Sequence, residues 1–267
     1  MSKASAAQAS TASAGVTDPA AAMTVAEIAA AAEDWDAALA VWVAHAHSGN
    51  PRAQANIGRC FVNGWGVTRD VELALKWLLP AAKAGDCLGQ SLLGDFYFNG
   101  ENGPPQRSIA EEWYARAANQ GDAHAQDMLS WLLIDGDHRQ PDYGQAMHWA
   151  LAAAGQGVAA AMTRIGLLHN NALGVERDVA VAAQWWRKAA LLGDGDGQAL
   201  LGAAHHLGAG AERDPVTALV WLIRARALRS KFADRFYDGV RNSCTPQQRR
   251  EAERRACLPI EAEEASP

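Results

Sequence analysis

The amino-acid sequence predicts an all-α fold, a right-handed α-α solenoid (superhelix) of about five to six 36-residue helix-turn-helix repeats. Three observations predict it. Trp77, Trp113, Trp149, Trp185 and Trp221 follow one another at intervals of 36 residues. Gly49, Gly85, Gly121, Gly157 and Gly193 keep that interval, as do Ala74, Ala110, Ala146, Ala182 and Ala218. The apolar series Ile57, Leu93, Leu129, Ile165 and Leu201 is followed each time by a small residue, Gly58, Gly94, Ser130, Gly166 or Gly202. Five units align without an insertion, and self-similarity at this period marks stacked supersecondary units.

Taken from the N-terminus, residues 1–22 are small and polar, and no block of Leu, Ile, Val or Phe resembles the apolar part of a secretion signal. Such a composition cannot offset the entropy of ordering, so the segment is expected to be disordered. Thr24–Glu27, reading TVAE, matches a capping box that opens a lone helix. Asp34 stands at the next helix-cap position.

From there each period divides into two helices. The first begins just after the periodic glycine, as in PRAQANIGRCFVNG, and ends at Gly64, Gly100, Gly136 or Gly208, residues suited to a left-handed C-terminal turn. Ala172 interrupts that series, and Asn171 before it is expected to take the left-handed conformation instead. The second helix starts at Asp70, Asp142, Asp178 or Asp214, whose carboxylates can accept from the first-turn amides. Pro215 suits the first helical position, and Gln106 takes the cap place behind Pro104 and Pro105. The spacing Ala110, Trp113, Ala117 puts all three on one face. Each periodic Trp is therefore expected to fill the gap between its own hairpin and the next, against the small residues opposite. A two-helix hairpin cannot bury its apolar face alone, so the units must stack.

The end of the chain changes character. Trp221 to Cys257 carries ten Lys or Arg against four Asp or Glu, and Thr245-Pro246-Gln247-Gln248 matches a capping box. Capping helices are expected from about residue 230, closing a solenoid that spans 23–257, with an acidic disordered tail over 258–267. A docking face for an acidic partner is the other reading of these basic helices.

Composition narrows the function. A net charge of -6 gives no reason to expect nucleic-acid binding. No apolar run approaches the roughly 18 residues that membrane insertion requires. Cys60, Cys87, Cys244 and Cys257 show no CxxC spacing, which with the missing signal suggests a reduced, cytoplasmic protein. His45, His47, His169, His205 and His206 lack neighbouring carboxylates or thiols at metal-site spacing, and His169 and His205 fall where Phe61 and Tyr97 stand in earlier units. They are expected as hydrogen-bonded core residues. GDGDG at 193–197 lacks the remaining ligands of a calcium loop and reads as a turn. No serine sits in a nucleophile-elbow context. No catalytic residue, metal or cofactor is expected.

The combined pattern A-x-x-W-[YW]-x-x-A-A-x-x-G, A-Q-x-x-L-G and N-G-x-G-V-x-x-D resembles the Sel-one-like repeat family of TPR-like hairpins. AEEWYARAANQGDAHAQDML and AAQWWRKAALLGDGDGQALLG carry it best, and the resemblance covers about Asp34 to Cys257. The first unit departs from it, with Val41 in the Trp place and Trp42 next. The resemblance implies a non-catalytic scaffold that holds a peptide or protein partner in a concave groove lined by the first helices. The outward row Arg59, Asp95, Trp131, Leu167 and Ala203 would then face the partner, with Trp131 the foremost candidate because Trp is favoured at binding hot spots. Asn63, Asn99, Asp135 and Asn171 form a second row, able either to bond a partner's backbone or simply to end the helix. A β-lactam-binding hydrolase is the second reading the resemblance implies, after cysteine-rich relatives that bind or hydrolyse penicillins and carry a disulfide in each hairpin, a pairing this sequence lacks. Neutralisation of a specific toxin or enzyme is a further alternative. Oligomeric state is not readable.

Overall fold

The computed structural model describes residues 18–137 and 139–260. Among them are fourteen α-helices and no strand. In chain order these are α1 (Pro19–Ala31), α2 (Trp35–His47), α3 (Pro51–Asn63), α4 (Val71–Lys83), α5 (Cys87–Asn99), α6 (Arg107–Asn119) and α7 (Ala123–Asp135). They continue as α8 (Tyr143–Gly155), α9 (Ala159–Asn170), α10 (Val179–Leu191), α11 (Gly195–Leu207), α12 (Pro215–Ala227), α13 (Lys231–Ser243) and α14 (Pro246–Ala256). The fold is an all-α helical-repeat solenoid. It divides into two compact units, residues 1–122 with α1–α6 and residues 123–267 with α7–α14. Within each, helices pack on their successors as far as α13, while α14 packs on α12, and first helices of successive hairpins also touch: α3 on α5, α7 on α9, and α9 on α11.

The N-terminal expectation needs correction. Helix α1 starts at Pro19 and is capped by Asp18, whose carboxylate accepts from the Ala20 amide at 3.0 Å. The Thr24 hydroxyl donates back to the Ala20 carbonyl at 3.1 Å, so TVAE lies inside a helix and is no capping box. A proline at the first helical position behind an Asp is the stronger start signal, because it presets φ where no amide hydrogen is needed. Residues 19–22 are thus helical, and α1 pairs with α2 as a full hairpin. Residues 1–17 and 261–267, where disorder was expected, lie outside the described residues.

The caps fall as the sequence indicates. Asp34, Asp70, Asp142, Asp178 and Asp214 each accept from a first-turn amide, whereas Gln106 makes no side-chain cap bond. A further cap series opens the first helices, at Asn50, Asp86 and Asp194. Gly64, Gly100, Gly136 and Gly208 adopt φ near +70°, from 68° to 73°. In the fourth aligned unit Ala172 itself takes the left-handed conformation at φ 56°, while Asn171 stays at -100°. The register of the turn, not the residue's preference, decides which position turns left.

The core departs from expectation by one residue. The rings of Trp77, Trp149 and Trp185 are half-buried, and only Trp113 and Trp221 are buried. Fully or nearly fully buried instead is the next position: Trp42, Leu78, Tyr114, Ala150, Trp186 and Leu222. That position meets the small residue of the same hairpin. A methyl added to Gly94 would lie 2.6 Å from the Tyr114 ring, and one on Gly166 would lie 2.3 Å from the Trp186 indole. A methyl on Gly58 would lie 2.6 Å from Leu78, and one on Gly202 would lie 3.0 Å from Leu222. In the third aligned unit both members change: Ser130 replaces glycine, Ala150 replaces the large side chain, and the Ser130 hydroxyl donates to the Ala146 carbonyl at 2.8 Å. Interiors are packed to crystal-like density, so such paired size changes are what keeps the helix spacing constant.

The periodic Trp has a second role. Trp77, Trp113, Trp185 and Trp221 pack onto the core cluster of the preceding hairpin. Three of these rings meet a cation from three residues on, with Arg116 4.4 Å from Trp113, Lys188 4.2 Å from Trp185, and Arg224 5.2 Å from Trp221.

At the C-terminal end α13 packs on α11 and α12, and α14 on α12. The Thr245–Gln248 capping box is formed in both directions. Arg224 is buried in α12 and donates to the carbonyls of Arg255, Ala256 and Leu258, at 3.1, 3.4 and 2.9 Å. A cation that satisfies the last carbonyls of a helix also complements its dipole. Ile260 packs on the cluster of α10–α12, so the chain is still docked at that point.

Candidate functional site

The first-helix row is built by the residue that follows the small one. In the first unit Arg59 and Asp95 are half-buried on α3 and α5, which pack together. Arg59 donates to the Asn56 carboxamide oxygen at 3.1 Å and lies 5.7 Å from the Trp65 ring. Trp65 stacks in turn on Trp35 at 5.0 Å with a 19° interplanar angle. Sequence reasoning missed this layer of guanidinium and two indoles, since neither Trp belongs to the 36-residue series; the signal was their being out of register. Asp95 accepts the Tyr114 hydroxyl at 2.5 Å. Burial first, and then the Asp95 carboxylate, push the Tyr114 phenol well above its ordinary pKa, so it remains a donor.

In the second unit Trp131 and Leu167 are half-buried and Ala203 is buried. Leu167 packs against the α10–α11 core. The Asn/Asp row lies at the last helical turn. Asn63 and Asn99 are exposed final residues of α3 and α5, and Asp135 is the half-buried final residue of α7. The Asn63 amide donates to the Arg59 carbonyl one turn back, at 2.9 Å, and exposed Asn171 accepts from Asn170 at 2.9 Å. Two of the four therefore already make local bonds of the helix-ending kind.

The histidines separate. His205 Nδ1 bonds the Glu212 carbonyl at 2.9 Å, whereas His169 Nδ1 is buried without a partner. Both are half-buried at the helix ends rather than in the core. Among the described residues no group of three His, Cys, Asp or Glu is arranged to hold a metal. All four cysteines are free thiols. Burial raises the Cys60 thiol to about 11, against a smaller opposing effect of Arg59, which makes it a poor nucleophile. No described helix is long and apolar enough to cross a membrane.

Two concavities lie away from the first-helix row. One of about 280 Å³ lies in the first unit among α4, α5, α6 and the loop between the latter two. The larger, about 630 Å³, lies in the second unit among α10, α11, α12 and the α11–α12 loop.

Comparison with known proteins bears on the repeat. The family described as Sel1 repeat matches residues 51–86, 88–122, 123–158, 159–194 and 195–230. A solved Sel1 repeat protein from Oxalobacter formigenes is similar at 27% identity, with a TM-score of 0.78, over 92% of this chain and 99% of that one. The structure of c5321, a protective antigen of uropathogenic Escherichia coli displaying an SLR fold, is similar at 24% identity and a TM-score of 0.61. That likeness covers 92% of this chain but 61% of the other. No curated protein matches.

Proposed function

Because the chain belongs to the Sel1 repeat family, whose members generally serve as protein-interaction scaffolds, we propose that it is a non-catalytic adaptor that holds a peptide or protein partner. The observation that supports this most is a contrast between adjacent positions. The packing residues of the first helices keep to small side chains from unit to unit, at Gly58, Gly94, Ser130, Gly166 and Gly202. Their immediate neighbours Arg59, Asp95 and Trp131 differ in size and charge and are only half-buried, a variety that packing of the repeat does not demand, whereas Leu167 and Ala203 further along the row pack inward. A row freed from the repeat's requirements is where recognition is written in stacked arrays.

On this reading Arg59 and Asp95 in the first unit and Trp131 in the second contact the partner. Asn63, Asn99, Asp135 and Asn171 offer amide and carboxylate groups to its backbone. Trp131 carries the largest expected share, since indoles dominate interface energetics. The test is a pull-down from native lysate, followed by titration of the captured partner against Trp131→Ala. A loss of at least ten-fold in affinity supports the assignment. Unchanged affinity with intact helicity removes Trp131 from the site.

A further inference from the structure

The two concavities stand at one and the same position of the repeat. Leu75, Tyr97, Asn102, Pro104, Gln106 and Ile109 line the smaller. Three periods further on, the same register positions are Ala183, His205, Gly210, Glu212, Asp214 and Thr217, and all of them line the larger. The fold therefore leaves a recess between a second helix, the end of the next first helix, and the loop that follows. In the first unit Leu75, Tyr97 and Ile109 largely fill it. In the second the replacements by Ala183, His205 and Thr217 withdraw that bulk, and the recess grows from about 280 to about 630 Å³. The first value lies just below the roughly 300–1,000 Å³ of small-ligand clefts and the second well within it.

The enlarged recess also acquires charge. Arg187, Arg213 and Arg255 line it above an apolar floor that includes Leu191, Leu201 and Trp221. Two carboxylates line it as well. Asp214 is committed to capping α12, accepting from the Val216 amide at 2.9 Å and the Thr217 hydroxyl at 2.5 Å, and Glu212 stands exposed on the loop. Arg213 is the informative cation. Its register equivalents Arg69 and Arg177 each clamp their loop, donating to the carbonyls of Val62 and Asn170 at 3.0 and 3.1 Å. Arg213 makes no such bond, and neither it nor Arg187 has a hydrogen bond, ion pair or ring contact; both are exposed. A structural arginine has here been released from its structural duty at the mouth of a cavity.

We propose that this recess binds an acidic peptide segment of the partner, with carboxylate side chains taken by Arg187 and Arg213 and an intervening apolar side chain seated on Leu191, Leu201 and Trp221. Guanidinium forks match carboxylates in a bidentate manner, and two unpaired ones are free to do so without breaking a bond in the host. The inference rests on the scaffold reading and names the chemistry of what is held. It adds to the first-helix row a second contact, on the loop side of the α11–α12 hairpin.

The test uses the full chain and two fluorescein-labelled probes, Glu-Glu-Leu-Glu-Glu and its counterpart Gln-Gln-Leu-Gln-Gln, followed by fluorescence anisotropy at low and high salt. The expected result is at least ten-fold tighter binding of the acidic probe, weakening with salt. Arg187→Gln combined with Arg213→Gln should abolish the difference without changing the melting temperature, since neither side chain makes a bond. Equal binding of the two probes, or undiminished binding by the double variant, overturns the proposal. The chain's own Glu261, Glu263 and Glu264 follow the docked Ile260 in sequence and carry the same chemistry as the acidic probe. If their combined replacement by Gln tightens probe binding several-fold, the recess is the chain's own and its assignment to a partner is wrong; unchanged binding supports the assignment. A lysate partner that binds the double arginine variant as tightly as the wild type overturns this site alone. The scaffold reading fails separately, if the wild-type chain captures no partner.

Discussion

Replacing Gly166 by Ala separates two effects of opposite sign. In an isolated helix the change would stabilise by about 1 kcal/mol, because glycine loses more backbone entropy than alanine. Here the added methyl would stand 2.3 Å from Trp186 Nε1, 2.6 Å from Cδ1 and 2.9 Å from Cε2. The indole is 5% exposed, and its Nε1 donates to the Thr163 carbonyl at 3.2 Å, so it cannot move aside without breaking that bond. Overpacking costs about 1–3 kcal/mol. A buried donor left without a partner costs about 1–3 kcal/mol more. The net expectation is destabilisation by about 1–5 kcal/mol, read by urea denaturation followed by circular dichroism at 222 nm. Gly239→Ala is the control: nothing lies within 4 Å of its added methyl inside α13, and it should stabilise by about 0.5–1 kcal/mol. In a Trp186→Ala background, itself weakened by about 3–5 kcal/mol, Gly166→Ala should turn from harmful to mildly favourable. That background reproduces the small-with-small arrangement of Ser130 and Ala150. A Gly166→Ala protein as stable as the wild type, or an equal penalty in both backgrounds, would refute the size-matching account.

Arg224→Leu should destabilise the second unit by about 3 kcal/mol, since three terminal carbonyls lose a charged donor; a change below about 0.5 kcal/mol in the same denaturation assay would show that α14 needs no such cap. Burial acts to raise Asp214, but bonds from the Thr217 hydroxyl and the Val216 and Thr217 amides, aided by Arg255, outweigh it and hold the carboxyl below its ordinary 3.8. A depressed folded pKa means stability that is present above 3.8 and lost as pH falls through the lower folded value. The stability gap between wild type and Asp214→Asn should therefore be constant near neutrality and shrink below about pH 4, as denaturation at a series of pH values would show. In the native protein at pH 8 the exposed Cys257 should react with a thiol reagent first, whereas buried Cys60 and Cys244 should label only on unfolding. Mass spectrometry of timed samples reads the order, and early labelling of Cys60 would contradict its raised pKa.

Repeat length, helix order and the Asp caps of the second helices were legible because each is a local signal repeated in register. The caps of the first helices at Asn50, Asp86 and Asp194 are local signals of the same kind, each one residue after the periodic glycine that ends the preceding turn. The core was misplaced by one residue for a physical reason. A Trp repeated at every period draws the eye, yet invariance of type reflects a constant inter-hairpin gap. The most buried position instead varies from Trp to Ala, because it answers to its own partner across the hairpin. Val41 in place of the periodic Trp is a real departure, and the family match begins only at residue 51, yet Trp42 fills the same fully buried place as Tyr114. The α10–α12 recess was illegible in sequence because it is made by what is missing: bulk withdrawn at three separated positions, and a bond that Arg213 does not make.

The matched partners, Gly94 with Tyr114 or Gly166 with Trp186, sit twenty residues apart and always inside one hairpin. Lock and key are thus inherited together. Duplication or loss of one whole period carries a self-consistent cassette and leaves every internal fit intact, so the array can grow or shrink by recombination in steps of 36 residues. A crossover at mid-period would marry the glycine-bearing helix of one cassette to the wrong mate, Ser130 against an indole or a glycine against the Ala150 helix, giving collision in one case and a void in the other.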